Sequence, residues 1–234
     1  MKRLDAVQLE RSRTDGPDGA FGYASVCDWE SIASLSPALG YPGATELFMQ
    51  GSSQQEVFFV DHGLVKLVHT NEDGIETIIG LRSSGWPLGA AAAILHQACP
   101  FTATTVIRCQ IRRVLVGNFL DHLQRNPQFA CHLNHVLSRE LHDQISRLVE
   151  LASLPARLRV EQLLRQLITA PESSAPKQEV RVTVPLKQWE LAQLLAVTPA
   201  YLSRLLDRLE QNGTLTRRKG WIFVPDATRL HCSR

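Results

Sequence analysis

Side chains that can recognise a charged polymer are concentrated near the end of the chain. The segment VTPAYLSRLLDRLE, residues 197–210, has leucines at helical spacing and leaves small, aromatic, hydroxyl and guanidinium groups on the opposite face. Arginine can donate two hydrogen bonds to a guanine edge, and hydroxyl or cationic groups can bind phosphates. The pattern therefore predicts a DNA-binding surface rather than a catalytic one. Its candidate members are Thr198, Ala200, Tyr201, Ser203, Arg204, Arg217, Arg218 and Lys219.

These candidates have different expected roles. Arg204 follows the start of the helix closely, and the N-terminal residues of DNA-reading helices reach base edges in the major groove. Thr198, Ser203 and the three basic residues after the helix are expected to bind phosphates. Ala200 can contact a thymine methyl group, and for Tyr201 both phosphate and base remain open.

The helix that must present these residues has clear start and stop signals. Thr198 is a favourable N-cap, and Pro199 stands at the first helical position, where its missing N–H costs nothing. Asn212 and Gly213 are typical of a helix end. One apolar stripe faces a core and consists of Leu202, Leu205, Leu206 and Leu209.

A second helix is predicted immediately before this one. Residues 187–196 carry their own leucine stripe, and only Ala196 and Val197 separate them from Thr198. So short a connection requires a steep crossing, which the small Ala192 permits. Residues 214–224 follow as a β-hairpin with a basic turn. Together these elements predict a winged helix-turn-helix.

The alternative is an ordinary amphipathic helix whose polar face is simply solvated. The charge distribution argues for DNA instead. Residues 1–153 hold 12 Lys and Arg against 16 Asp and Glu, a net charge of −4, whereas residues 154–234 hold 13 against 7, a net charge of +6. Positive charge thus accompanies the predicted helix-turn-helix, where a polyanion would bind.

Composition excludes several other classes of protein. The longest apolar run, residues 87–95, is too short for a membrane span, and the polar N-terminus does not resemble a secretory signal. The five cysteines stand at 27, 99, 109, 131 and 232 without CxxC spacing. We therefore expect a cytoplasmic protein that contacts no membrane and has neither a disulfide framework nor a structural zinc site.

The N-terminal half reads as β structure. Short apolar or alternating runs at residues 57–60, 64–68, 75–79 and 102–116 are separated by turn signals, of which Asn71–Gly74 is a good hairpin loop. Strands at this spacing predict a small β-barrel or sandwich.

A long amphipathic helix is predicted at residues 127–152, followed by Leu154-Pro155, which ends it. No later segment is large enough to cover its apolar stripe, so we expect a second copy of the chain to do so. A further helix at 157–170 and a short strand at 180–184 precede the helix-turn-helix. The expected dimerisation residues are Leu133, Val136, Leu137, Leu141, Ile145 and Leu148.

The order of these parts resembles the CRP/FNR superfamily of bacterial transcription regulators. The segments that carry the resemblance are VDHGLVKL (60–67), EDG (72–74), the stretch from Gly85 to Gly89, the long helix, and LAQLLAVTPAYLSRLLDRLEQNGTL (191–215). The resemblance implies an α+β fold with a cyclic-nucleotide-binding-like β-barrel, a dimerisation helix and a C-terminal winged helix-turn-helix. The corresponding division is a mobile polar arm at 1–20, a sensor domain at 21–126, a dimerisation helix at 127–153 and a DNA-binding domain at 154–234.

The same resemblance implies a homodimer on a roughly twofold-symmetric operator, with RNA polymerase as a further partner. It also implies a small-molecule or redox signal that reorients the DNA-binding domains.

Three departures from the family pattern bear on the signal and on the operator. Members that bind cyclic AMP pair Gly-Glu with a later Arg-Ser/Thr-Ala, whereas this chain has Gly89-Ala90 and Phe101-Thr102-Ala103. Members with an iron–sulfur cluster carry several cysteines near the N-terminus, where this chain has only Cys27. We therefore expect neither cyclic AMP in the usual mode nor such a cluster. In the reading helix, Ala200 stands where many members have a base-reading glutamate.

Other functions remain as alternatives. His132, His135 and His142 could share a helix face, but no carboxylate completes a metal set with them, so no metal site is expected. His96 and Cys99 lie where some family members hold haem, and haem stays a minor alternative. A cupin-type metal enzyme would need two closely spaced histidines with a glutamate, which His62 and His69 do not supply, so no enzymatic activity is expected. A protein-binding scaffold is the remaining alternative.

The apolar residues between the predicted strands leave a last question open. Residues 88–95 are almost uniformly apolar and can fill the sensor pocket themselves, in which case the protein needs no ligand.

Overall fold

The computed structural model of the protein describes residues 29–167, 180–182, 186–218 and 221–224. The predicted polar arm at 1–20, together with Cys27, Lys219 and Cys232, lies outside these ranges.

Eight antiparallel strands form the N-terminal part that the sequence predicts to be a sensor, here named the sensor part. Their order is β1-β8-β3-β6 in one four-stranded sheet and β2-β7-β4-β5 in the other, so the predicted fold class is confirmed. The described strands of this part of the chain pair in these two sheets rather than in the closed barrel that was predicted. The strands are β1 (Ala38–Tyr41), β2 (Glu46–Phe48), β3 (Glu56–His62), β4 (Val65–Thr70), β5 (Glu76–Arg82), β6 (Trp86–Leu88), β7 (Thr102–Thr105) and β8 (Cys109–Leu115).

The turns between these strands follow the local sequence. The predicted hairpin loop between β4 and β5 is confirmed: Asn71 Oδ1 accepts from the Ile75 N–H at 2.8 Å, and Gly74 has a φ of 77°. Gly63, between β3 and β4, has a φ of 109°, and a Cβ there would lie 2.4 Å from Cys109 Sγ. Both the backbone angle and the close approach therefore require glycine at residue 63.

Helices pack on the first sheet and lead out of the sensor part. They are α1 (Trp29–Ala33), α2 (Ala90–Leu95), α3 (Val116–Arg125) and α4 (Pro127–Ser153). The long helix predicted at 127–152 is confirmed as α4, and Asn126 caps it by accepting from the Phe129 N–H at 3.0 Å. Phe129 meets Phe119 of α3 edge-on, with ring centroids 6.1 Å apart, and so holds the start of α4 against the sensor core.

The C-terminal part contains the predicted helix-turn-helix. Its elements are α5 (Ala156–Leu167), β9 (Val180–Val182), α6 (Gln188–Leu194), α7 (Pro199–Gln211), β10 (Thr216–Arg218) and β11 (Trp221–Val224). The three strands pair antiparallel in the order β10-β11-β9, so the predicted hairpin is confirmed and gains a third strand. The predicted ends of α5 and β9, residues 168–170 and 183–184, lie outside the described ranges.

The sensor part and the helix-turn-helix share one apolar core. Leu64, just before β4, and Val68 and Ile78 of the second sheet belong to the same buried cluster as the leucines of α6 and α7. Polar contacts frame this core. Lys66 Nζ lies 2.5 Å from Glu190 Oε1 of α6. The side-chain amide of Gln193, also in α6, both donates to and accepts from the main chain of β5.

Glu190 is held in its charged form by this arrangement. Burial alone would raise the pKa of its carboxyl, but the bonds from Lys66 and from the Lys187 N–H outweigh burial, so its pKa lies below the usual range. None of the helices within the described ranges is both long and apolar enough to cross a membrane.

Candidate nucleic-acid interface

The candidate interface begins at the first turn of α7, which is built as the sequence predicts. Thr198 Oγ1 accepts from the Tyr201 N–H at 3.2 Å, and Pro199 is the first helical residue. Because this bond satisfies one of the free N–H groups at the helix end, the first turn is held in place while its side chains point outward.

The short turn before α7 fixes the crossing of the two helices. Ala196 takes a φ of 51°, and the Val197 N–H donates to the Ala192 carbonyl at 3.0 Å. Ala192 is completely buried, as expected for the small residue at a close crossing. The helix-turn-helix is thus assembled by a left-handed residue and a side chain without bulk.

The two faces of α7 are sharply different. All four residues of the predicted stripe are buried, whereas Ala200, Tyr201 and Arg204 are exposed and Ser203 is half-buried. The side chain of Arg208, which sequence reasoning did not single out, is exposed on the same side. A shallow surface depression is lined by Tyr201, Arg204, Leu205 and Arg208. The signal for Arg208 was available, since it follows Arg204 by one helical turn.

Arg217 of β10, which the sequence predicts to bind a phosphate, is bonded to carboxylates of α7. Its Nε lies 2.9 Å from Glu210 Oε2, its Nη2 also bonds to Asp207, and its backbone N–H donates to Glu210 Oε1 at 2.8 Å. These carboxylate bonds, with Asp207 first, raise the pKa of Arg217, and the bonds from Arg217 lower the pKa of Glu210. Arg218 lies in β10, but its side chain is not among those that the structure describes. Lys219 lies outside the described residues.

The region corresponding to an effector pocket is packed with apolar side chains. Ala90 and Ala103 are completely buried, and the rings of Phe48 and Phe101 lie 6.0 Å apart, centroid to centroid. Cys99 is buried nearby, and burial raises the pKa of its thiol to about 11. His96 is exposed at the end of α2.

Among the residues that the structure describes, the histidines of α4 are not grouped with other potential metal ligands. His132 is half-buried, and His135 and His142 are exposed. Across the described ranges, no three His, Cys, Asp or Glu side chains lie close enough together to hold a metal ion.

The predicted dimerisation stripe of α4 is buried in the first half of the helix and exposed in the second. Leu133 and Val136 are 3% and 5% exposed because the first half of α4 covers the chain's own sheets, so they are removed from the candidate dimer surface. Leu137 is half-buried. Further along, Leu141 and Leu148 are 63% and 65% exposed, and Ile145 is exposed with them. Val149, which the sequence prediction omitted, is also exposed.

Both the N-terminal and the C-terminal part of the chain match models of known protein domains. Residues 40–126 match the model of the cyclic nucleotide-binding domain, and residues 158–232 match the Crp-like helix-turn-helix domain. The chain is 25% identical to the cAMP-activated global transcriptional regulator CRP of Pasteurella multocida, over 79% of this chain and 88% of that protein. It is also 25% identical to the transcriptional activatory protein AadR of Rhodopseudomonas palustris, over 89% of this chain and 83% of that protein.

Solved structures share the fold. The c-di-GMP-responsive global regulator CLP of Xanthomonas campestris superposes with a TM-score of 0.71 at 21% identity, covering 84% of this chain and 97% of that chain. With a sensor fold, a long helix and a helix-turn-helix in the same order as in these regulators, the chain belongs to the CRP/FNR family of transcription regulators, which bind DNA through the helix-turn-helix.

Proposed function

We propose that the protein regulates transcription as a homodimer that inserts the first turns of α7 into the major grooves of a twofold-symmetric operator. The observation that carries this proposal is the exposed face formed by Ala200, Tyr201 and Arg204 above four buried leucines. A helix anchored in this way can enter a groove about 12 Å wide without losing its own packing.

Within this proposal, Arg204 reads one base and neighbouring groups fix the register. Its guanidinium is exposed, which suits bidentate donation to guanine O6 and N7 and discriminates by about 1–3 kcal/mol. Thr198 and Ser203 would position the helix on phosphates. The Thr198 oxygen that accepts from Tyr201 retains its own hydrogen as a donor.

The dimer would form through the second half of α4. Leu141, Ile145, Leu148 and Val149 form an apolar surface on a helix of 27 residues, and a second copy related by a twofold axis would bury it on both chains. We accordingly assign residues 21–126 to the sensor, 127–153 to the dimerisation helix and 154–234 to the DNA-binding domain.

We further infer that cyclic AMP is not bound in the manner usual for the family. At the two pattern positions, Ala90 provides no carboxylate for a ribose, and Phe101 provides no cation for a phosphate. Both residues instead meet apolar neighbours, so a cyclic phosphodiester would be desolvated there without compensation. Haem at His96 and Cys99 is disfavoured, because Cys99 is buried in the apolar core of the sheets whereas His96 is exposed at the end of α2.

The remaining parts of the proposal rest on the family to which the chain belongs. We infer that the protein works in the bacterial cytoplasm, contacts RNA polymerase when bound beside a promoter, and performs no catalysis.

Fluorescence anisotropy on labelled duplex DNA tests this function. We expect the wild-type protein to bind duplex at low salt and to lose affinity steeply as salt rises, because phosphate contacts release counterions. Arg204→Ala should bind a preferred duplex more weakly. Arg125→Ala, which removes an exposed arginine of the sensor part, should behave as wild type. Equal binding by all three proteins would contradict the proposed orientation of α7.

A further inference from the structure

We propose that Arg208 is the cation of α7 that binds a DNA phosphate, and that Arg217 of the hairpin is instead a positioning residue. This inference rests on the proposed function and adds a division of labour among the basic residues. Sequence spacing alone assigned phosphate binding to Arg217 and gave Arg208 no role.

Arg208 is placed to follow Arg204 along the groove. It lies four residues after Arg204 and seven after Tyr201, so all three share one side of α7 and line the same depression. Four residues correspond to about 6 Å along the helix axis. Since the N-terminal residues of a reading helix reach the base edges, a long side chain one turn further on meets the sugar–phosphate backbone that borders the groove.

The guanidinium of Arg208 is available for this contact. Arg208 is exposed. Within the described part of the chain, no carboxylate or carbonyl accepts a hydrogen bond from its guanidinium. A phosphate would supply a charged partner and, by charge-assisted hydrogen bonding, a strong one.

Arg217 is in the opposite situation. Its side chain bonds to Glu210 at 2.8 and 2.9 Å and also to Asp207, so its guanidinium is already paired with two carboxylates of α7. If Arg217 turned to a phosphate, both carboxylates would be left uncompensated beside the DNA. Arg217 therefore acts by neutralising these charges and by holding the hairpin against α7.

Salt-dependent binding separates the two roles. Affinity for a selected operator and for a scrambled duplex would be measured between 50 and 300 mM salt for wild type, Arg208→Gln and Arg125→Gln. For Arg208→Gln we expect both duplexes to bind about tenfold more weakly at 0.1 M salt, with unchanged preference between them, and a log–log salt slope smaller by about 1.8 for two contacts per dimer. Arg125→Gln should match wild type. An unchanged slope for Arg208→Gln would overturn its assignment.

A rescue experiment tests the role of Arg217. Arg217→Gln alone should weaken binding, because Asp207 and Glu210 then repel the phosphates. Adding Asp207→Asn and Glu210→Gln should restore affinity to within about threefold of wild type at 0.1 M salt, since no uncompensated carboxylate remains. A triple variant as weak as Arg217→Gln would show that Arg217 binds the phosphate itself. Thermal unfolding would first establish that each variant is folded.

Failure of this inference is distinguishable from failure of the proposed function. If Arg204→Ala changes sequence preference while Arg208→Gln keeps the wild-type salt slope, only the assignment of Arg208 is wrong. If both folded variants bind every duplex as wild type does, α7 is not the reading helix and the proposed function is wrong too.

Discussion

At the residue scale, the hydroxyl of Thr198 supports the proposed DNA-reading face of α7. It caps α7 by accepting from the Tyr201 N–H and so keeps the first turn formed where DNA would be contacted. We expect Thr198→Ala to lower the free energy of unfolding by about 1 kcal/mol, because one N–H at the helix end loses its partner. Urea denaturation measures this change. Thr198→Ser, which keeps the hydroxyl, is the matched control and should stay near wild type.

Cysteine reactivity gives a second prediction at this scale. Cys99 is buried with a pKa of about 11, while Cys131 is exposed on α4. Because the thiolate is the reactive form, iodoacetamide at pH 8 should alkylate Cys131 well before Cys99 in the native protein. Peptide mass spectrometry follows each site. Alkylation of Cys99 at the rate of Cys131 would show that the sensor core is open, whereas both should react once the protein is unfolded.

The sequence predicts the roles of residues that depend on local spacing along a helix. It does not predict roles that depend on contacts between separate elements. The cap at Thr198 and the leucine stripe follow from positions three and four apart. The ion pairs of Arg217 with Asp207 and Glu210 arise only once the hairpin returns across α7. A basic run in the sequence does not indicate which of its cations already has a partner.

At the scale of elements, α6 connects the sensor part to α7, the proposed reading helix. Gln193 donates from Nε2 to the Glu76 carbonyl at 2.8 Å and accepts at Oε1 from the Ile78 N–H at 3.2 Å. Since β5 is the last strand of its sheet, this amide satisfies main-chain groups that the sheet leaves unpaired. Arg147 of α4 strengthens the junction by donating to the carbonyls of Ile79 and Leu194.

Removing the amide tests this connection. We expect Gln193→Ala to lower the free energy of unfolding by about 1–2 kcal/mol, because two hydrogen bonds are lost and two main-chain groups of β5 lose their partner. Gln211→Ala, at the exposed end of α7, is a matched control and should change stability by less than about 0.5 kcal/mol. Equal effects of the two substitutions in chemical denaturation would mean that α6 is not docked on β5.

Periodicity predicted the elements better than their contacts. The bounds of α4, α6 and α7 lie within two residues of the predicted ones. The caps Asn126 and Thr198, together with Pro155 and Gly213, mark the ends of α4 and α7 in the sequence. The same periodicity treated the stripe of α4 as one surface. Only the sheets show that Leu133 and Val136 belong to the sensor core, since a stripe does not reveal which partner covers each half.

At the scale of the whole molecule, the exposed half of α4 predicts the quaternary structure. We expect Leu141→Arg combined with Leu148→Arg to give a folded monomer, because two charges would have to be buried on each side of the helix pair. Sedimentation velocity measures the change in mass. Leu115→Arg, at another exposed leucine of the sensor part, is the control and should leave the dimer intact.

Loss of the dimer should also weaken operator binding. A monomer contacts a single half-site and forgoes the gain from linking two binding events. A monomeric double variant that binds the full operator as tightly as wild type would contradict the twofold arrangement.

Selection of bound duplexes from a random pool, followed by sequencing, tests the central claim most directly. The wild-type protein should enrich a twofold-symmetric motif with half-sites about 34–36 Å apart, one turn of DNA. Arg204→Ala should lose the preference at one position in each half-site and keep the remainder. Enrichment of the same motif with equal preference by Arg204→Ala, or no enrichment by the wild-type protein at low salt, would contradict the account of α7 as the DNA-reading helix.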